Sequence, residues 1–314
     1  MAQVQTLRGP VETSQLGTTL VHEHVMFQFD DSRRQRSIDF AVKLLREAEK
    51  AGVQTIVDLT PTRRIDWLDE IARQVEMPIV ASTGYYLERL TPPLLAGLSE
   101  EQMVERMVRE LTEGIDGTPV RAGIIKIAGD LADLTDWEKQ VFRAAARAQL
   151  RTGACIATHA CLGAREQARV LQEAGADLNR VFFSHIESDW GWKGRTRQEQ
   201  AQYLADVTRL GGCLLFNNFG CEFFTRWTDL VTFLRTLCDG GYQDKLLMSI
   251  DCNWTWNNEG KIEFEAEAQH PEAGRRTFAY MMTETVPQLL EAGFTEEDIH
   301  TFLVASPRRF FEGA

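Results

Sequence analysis

Leu16-Gly-Thr-Thr-Leu-Val-His22-Glu-His24-Val25 is a short apolar run that ends in two histidines two residues apart. Side chains at i and i+2 of a strand share a face, so both imidazoles can reach one point while Glu23 turns to the opposite face. Outward from this run the same pattern recurs. Apolar stretches at 18–24, 53–58, 78–83, 122–128, 154–159, 180–185, 212–217 and 245–251 read as eight strands. They are near-continuous in Val, Ile and Leu, as strands buried on both faces are. Between and after them, 39–51, 65–74, 100–114, 137–152, 164–174, 198–210, 230–238 and 276–292 read as helices. Ser99 to Gln102 and Thr135 to Glu138 fit capping boxes, and Gly52, Gly114, Gly153, Gly175 and Gly211 each stand where a helix stops. Eight strands alternating with eight helices predict an α/β fold, a (β/α)8 TIM barrel. An open doubly wound sheet would want a glycine-rich phosphate turn after the first strand, where His-Glu-His stands instead.

A chain of 314 residues suits one such domain, spanning 1–314, with 44% hydrophobic and 25% charged residues. The 34 basic and 46 acidic residues leave a net charge of -12, which argues against a nucleic-acid partner, since that needs a basic face. The polar start lacks a signal-peptide core and no apolar stretch is long enough to span a membrane. Six cysteines with no CxxC pair read as reduced thiols in a cytoplasmic protein, Cys252 as packing beside a ligand. Two long loops, 187–196 with Trp190 and Trp192 and 252–274 with Trp254 and Trp256, read as pocket walls or caps.

Of six histidines, His22, His24, His159 and His185 end expected strands, and Asp251 ends another. The tips of barrel strands deliver side chains to the catalytic face. Four imidazoles and a carboxylate suit Zn, Mn, Co or Fe better than Ca or Mg. Lys126 sits on an inward strand position, where a bare ammonium is costly to bury. It either reaches solvent or pairs with Asp130, or it is carboxylated by CO2 and so becomes an anion able to bridge two cations.

These residues resemble the phosphotriesterase family of the amidohydrolase superfamily, including its phosphotriesterase-like lactonases. The likeness covers nearly the whole chain and rests on LGTTLVHEHV, AGIIKIA (122–128), THA (158–160), SHIE (184–187), SID (249–251) and SPRRFF (306–311). It implies two divalent metal ions, zinc first. His22, His24 and Asp251 would hold the more buried one and His159 and His185 the more exposed one, with a carboxylated Lys126 and a hydroxide bridging them. It also implies catalytic roles for Asp251, as proton acceptor, and for Lys126, a small-molecule substrate, and a homodimer.

For substrate, Tyr86 in Ser82-Thr-Gly-Tyr-Tyr86 matches a lactonase tyrosine that positions substrate near the metals. The lactonases' Asp-Arg-Tyr-Gly after the seventh strand is replaced by Asn217-Asn218-Phe219-Gly220. The substrate-binding residues expected are therefore Tyr86, Asn218 and Trp254. The leading expectation is hydrolysis of lactones or related carboxyl esters, with promiscuous phosphotriester hydrolysis. The alternatives are hydrolysis of an amide or a phosphorylated sugar lactone, with Arg63, Arg64 and Arg89 as anion partners, or a barrel that binds without catalysis.

Overall fold

The computed structural model describes residues 2–60, 63–129, 132–160, 163–188, 194–271 and 275–313. The eight expected strands form one parallel sheet, in chain order: β1 Thr19–Glu23, β2 Thr55–Asp58, β3 Ile79–Gly84, β4 Ile124–Ala128, β5 Cys155–His159, β6 Val181–Ser184, β7 Cys213–Phe216 and β8 Leu246–Met248. Each strand is hydrogen-bonded to the next. Past its last ladder the sheet closes through its tips. The His24 N–H donates to Cys252 O at 3.1 Å and the Asp251 N–H to His22 O at 3.2 Å. The fold is a (β/α)8 TIM barrel.

Strand periodicity divides the core in two. Leu20, Ile56, Ile79, Ile125, Ile156, Phe183, Leu214 and Leu246 pack outward against the helices. Val21, Val57, Val80, Ile124, Ala157, Phe182, Leu215 and Leu247 fill the lumen. Val4 from an N-terminal hairpin (Gln3–Thr6 with Gly9–Glu12) and Phe310 and Phe311 from the last helix close the far end. These side chains fill the lumen below, which leaves the carboxyl ends of the strands for chemistry.

The outer helices are α1 Arg34–Ala51, α2 Ile65–Ala72, α3 Glu100–Thr112, α4 Asp136–Thr152, α5 Ala164–Glu173, α6 Arg197–Arg209 and α7 Trp227–Asp239, with α8 Val286–Glu291 and α9 Ser306–Glu312 near the end. Both expected capping boxes form, at Ser99 and Thr135. The same box starts α6 at Thr196, unread in the sequence. The helix expected over 276–292 is different in kind. A π-helical turn, Met281–Thr285, precedes α8, and a second, Thr301–Ala305, precedes α9. Pro287 and Pro307 sit at the starts of α8 and α9, where neither can donate to the preceding turn.

Candidate metal centre and active site

Simple alternation accounts for two of the six expected ligands. Lys126 continues the inward parity of Ile124 on β4, and His159 that of Ala157 on β5. The others need a local device. On β1, Leu20 points outward, so strict alternation would put His22 outward too. The register of β1 against β2 shifts between Leu20 and Glu23, and this irregularity brings His22 and His24 inward. His24, His185 and Asp251 correct the sequence reading: each lies past the last residue of its strand, His24 by one residue on β1. His185 lies one residue past β6 and Asp251 three past β8, with φ of 58° and 53°. Left-handed backbone at residues other than glycine is costly, and is kept where surrounding contacts impose it.

These devices bring five of the six groups into contact with one another, and the sixth, His159, meets His185 ring to ring. Asp251 Oδ1 lies 3.1 Å from His24 Nε2 and 3.5 Å from His22 Nε2, and Asp251 Oδ2 lies 3.5 Å from His185 Nε2. The Lys126 Nζ is 3.4 Å from His22 Nε2. The His159 and His185 rings meet edge-on at 4.4 Å between centroids. Burial, with Lys126 next in order, holds His22 well below the ordinary imidazole range. Burial, with His159 beside it, pushes His185 down to about 3. Burial opposes the Asp251 charge, yet the surrounding histidines hold its carboxyl well below the usual carboxylate range. His22 and His185 are thereby held as neutral imidazoles and Asp251 as an ionised carboxylate, the protonation states that ligate metals.

A cation fits this arrangement. The candidate ligand atoms of His22, His24 and Asp251 all lie within 4.8 Å of one another. Apart from the 3.1 Å approach of His24 Nε2, Asp251 Oδ1 is buried without a hydrogen-bond partner, and so is His22 Nδ1. A buried orphan acceptor costs about 1–3 kcal/mol, and a cation at the focus of these atoms would relieve the Asp251 oxygen.

Around this cluster runs a second layer that the sequence reading missed. The His24 Nδ1 is 3.2 Å from Thr60 Oγ1, which in turn donates to Asp58. The Asn217 Oδ1 accepts the His185 N–H at 3.0 Å and its Nδ2 meets His185 Nδ1 at 3.0 Å. Glu187 accepts the N–H groups of Asn217 and Asn218, both at 2.7 Å. Glu23 accepts from Ser249 Oγ at 2.7 Å and from the N–H groups of Ile250 and Cys252, both at 2.8 Å. Burial pushes both glutamates up to about 7. The Arg276 guanidinium donates to three carbonyls, Phe219 (2.6 Å), Asn217 (2.8 Å) and Ile250, and so ties the tips of β7 and β8 together. The sequence carried one weak signal for these groups: each glutamate stands within two residues of a histidine ligand.

The cluster forms the floor of a cavity of about 520 Å³. Tyr86 and Asn218 line it, with Tyr86 edge-on to His159 at 5.6 Å. Phe27, Leu90, Phe223 and Phe224 give it apolar walls. Trp254 is a correction. Its indole is 2% exposed, donates to Val25 O at 3.1 Å and packs on Phe40, so it braces a hairpin (Trp254–Trp256 with Ile262–Phe264) behind the cavity instead of lining it. Trp256 is likewise buried, bonded to Ser37. Trp190 and Trp192 lie outside the described residues, as do Asp130 and Cys161; the remaining five cysteines are unpaired. Arg63 is bound to Glu110, and Arg64 to Asp31 and Asp66, away from the cavity, whereas Arg89 and Arg276 line it.

Fold and site together define a barrel that gathers, at the carboxyl ends of its strands, a group able to hold a metal. The model of the phosphotriesterase family matches residues 2–311. The chain is 32% identical to a phosphotriesterase homology protein of Mycobacterium tuberculosis, over 99% of this chain and 98% of that one. It is 26% identical to the N-acetyltaurine hydrolase of Danio rerio, over 98% and 97%. It superposes on a mutant of the organophosphorus hydrolase from Deinococcus radiodurans with a TM-score of 0.86 at 31% identity, covering 99% and 97%. The chain belongs to the phosphotriesterase family, and it is a hydrolase. The family depends on a pair of metal ions, and the His22, His24 and Asp251 group is able to hold one here. Among the described residues no helix is long and apolar enough to cross a membrane.

Proposed function

We propose that the protein hydrolyses lactones or related carboxyl esters, with phosphotriester hydrolysis as a side activity. The observation that carries this reading is the convergence of four imidazoles, Lys126 and Asp251 on the floor of one partly apolar cavity. His22, His24 and Asp251 would hold one divalent cation and His159 and His185 a second, with Lys126 between them as its carboxylated form. Zinc suits the donor set best, and Mn, Co or Fe next. Such a pair, when bound, brings the pKa of water to near neutrality and polarises the substrate oxygen.

The chain's own residues do the rest. Asp251 stays ionised at neutral pH and accepts the proton released as water attacks. Carboxylation of the Lys126 amine, at a position 2% exposed, would replace its ammonium with a carbamate anion able to lie between two cations. Tyr86 stands over His159, where it orients the acyl group. Asn218 Nδ2 is buried, lines the cavity and lacks a partner, so it donates to a substrate oxygen. The phenylalanine walls take the apolar part of the substrate.

A second reading, an amide or anionic substrate, is favoured by Arg89 in the cavity wall and by the likeness to an N-acetyltaurine hydrolase. Metal-reconstituted protein assayed on γ- and δ-lactones, sugar lactones, N-acyl amines and paraoxon separates the two. Turnover of the lactones is expected; turnover of amides or triesters without any lactone turnover contradicts the assignment. We also propose a homodimer, which sedimentation equilibrium tests.

A further inference from the structure

Three of the candidate ligands lie on backbone that has left the strand, and Asp251 lies farthest past its own. Nothing in β8, which ends at Met248, fixes the conformation of a residue three positions later. The contacts that do so come from β1 and its tip: the Asp251 N–H donates to His22 O, the His24 N–H to Cys252 O, and the side chain between those two histidines holds the residues on either side of Asp251. Glu23 is fully buried, and its carboxylate grips the N–H groups of Ile250 and Cys252, the two residues that flank Asp251. Two N–H groups two positions apart converge on one anion only when the chain between them turns sharply. Asp251, at φ 53°, is that turn. Backbone concavities of this kind bind anions. The third donor, Ser249 Oγ, also accepts the His22 N–H at 3.0 Å, so the same carboxylate is tied to the histidine strand. Arg276 braces the far side of the turn through Ile250 O.

We propose that Glu23 is a positioning residue for Asp251: by holding the N–H groups on both sides of it, Glu23 imposes the left-handed turn that aims the Asp251 carboxylate between His22, His24 and His185. This rests on the reading of Asp251 as ligand and proton acceptor. Glu23 sits between His22 and His24 in sequence, so one three-residue stretch supplies two imidazoles from its inner face and sets the opposing carboxylate from its other. A structural role alone would make Glu23 a brace for barrel closure, with effects independent of what residue 251 carries.

The test is a double-mutant cycle. Glu23→Gln keeps the size of the side chain but sets an amide against one of the two N–H donors. It is made in the wild type and in Asp251→Asn, and zinc affinity is measured in all four proteins by competition with a chromophoric chelator. The visible spectrum of cobalt-loaded protein and the separate kcat and KM values are read alongside. Glu23→Gln is expected to weaken metal binding by about 10–100-fold in the wild-type background. It should alter the cobalt bands and lower kcat with KM moving less than about twofold. In the Asp251→Asn background its effect on affinity should shrink to less than about twofold. Equal losses in both backgrounds, or unchanged affinity in the first, would overturn the positioning role. If Glu23→Gln does not fold, Ser249→Ala removes one of the three donors and carries the same cycle: a smaller loss confined to the Asp251 background supports the role, and equal or no loss overturns it. Wild-type protein that takes up no cation would overturn the functional reading and this one together, an outcome distinct from additive mutants in a metal-binding wild type.

Discussion

Replacing Asn217 by alanine should loosen His185 without removing any candidate ligand atom. Asn217 is fully buried, and both ends of its amide are used on His185, the oxygen on the backbone N–H and the nitrogen on ring Nδ1, each at 3.0 Å. Deletion orphans the buried His185 N–H and leaves ring Nδ1 without its partner, at about 1–3 kcal/mol, and leaves a small void; the total is about 2–4 kcal/mol. Domains are typically stable by about 5–15 kcal/mol, so the barrel should survive. The effect on metal should be larger in relative terms. A histidine ligand that loses the group orienting its ring weakens binding by about 10–100-fold. On the proposed assignment His185 serves the more exposed cation, so the loss should fall on one of two metals and split a chelator-competition titration into two phases. Urea unfolding of the metal-free protein gives the stability term separately. Both cations retained within about twofold affinity, with only stability reduced, would show that Asn217 is ordinary packing and that the outer layer does not orient the site.

Further outcomes follow from the same geometry. Asp251→Asn should fold, by circular dichroism, and lose roughly two to four orders of magnitude in kcat; strong residual activity would mean that another group takes the proton. Gly84→Ala should cost about 2–4 kcal/mol in chemical denaturation and impair turnover, because φ is 126° and the added Cβ would collide with the Lys126 carbonyl; a silent substitution would contradict the packing of β3 on β4. In metal-free protein, burial holds His185 down to about 3, below its ordinary 6.5, so the stability it contributes is present above pH 6.5 and lost as pH falls toward 3. Stability relative to His185→Gln should therefore drop by about 1.4 kcal/mol between pH 7.5 and 5.5. The comparison with a variant is needed because Glu23 and Glu187, raised to about 7, tilt the whole-protein profile the opposite way. A difference that rises on acidification would contradict a neutral buried imidazole.

Much of this was legible in the chain because period 2 is rigid. Near-continuous apolar runs marked all eight strands, and inward parity alone places Lys126 and His159. What was not legible depends on departures from that period. The register shift on β1 and the left-handed turns at His185 and Asp251 have no local signature, since neither histidine nor aspartate announces a positive φ as glycine does. The roles of Glu23, Glu187 and Arg276 are set by backbone groups up to 229 positions away, beyond the reach of spacing arguments. Trp254 shows the reverse error. A tryptophan in a long loop reads as a pocket wall or a cap and is expected to touch substrate, but its hairpin turns the indole onto Phe40 and Val25, where its N–H is satisfied.

The central claim is that side chains from the strand tips hold two cations on the cavity floor, and anomalous diffraction from zinc-loaded crystals tests it most directly. Two peaks are expected, one about 2.0–2.2 Å from donor atoms of His22, His24 and Asp251 and the other at similar distance from those of His159 and His185, with density extending the Lys126 amine between them. A single peak outside this cluster, or none at the strand tips, would contradict it.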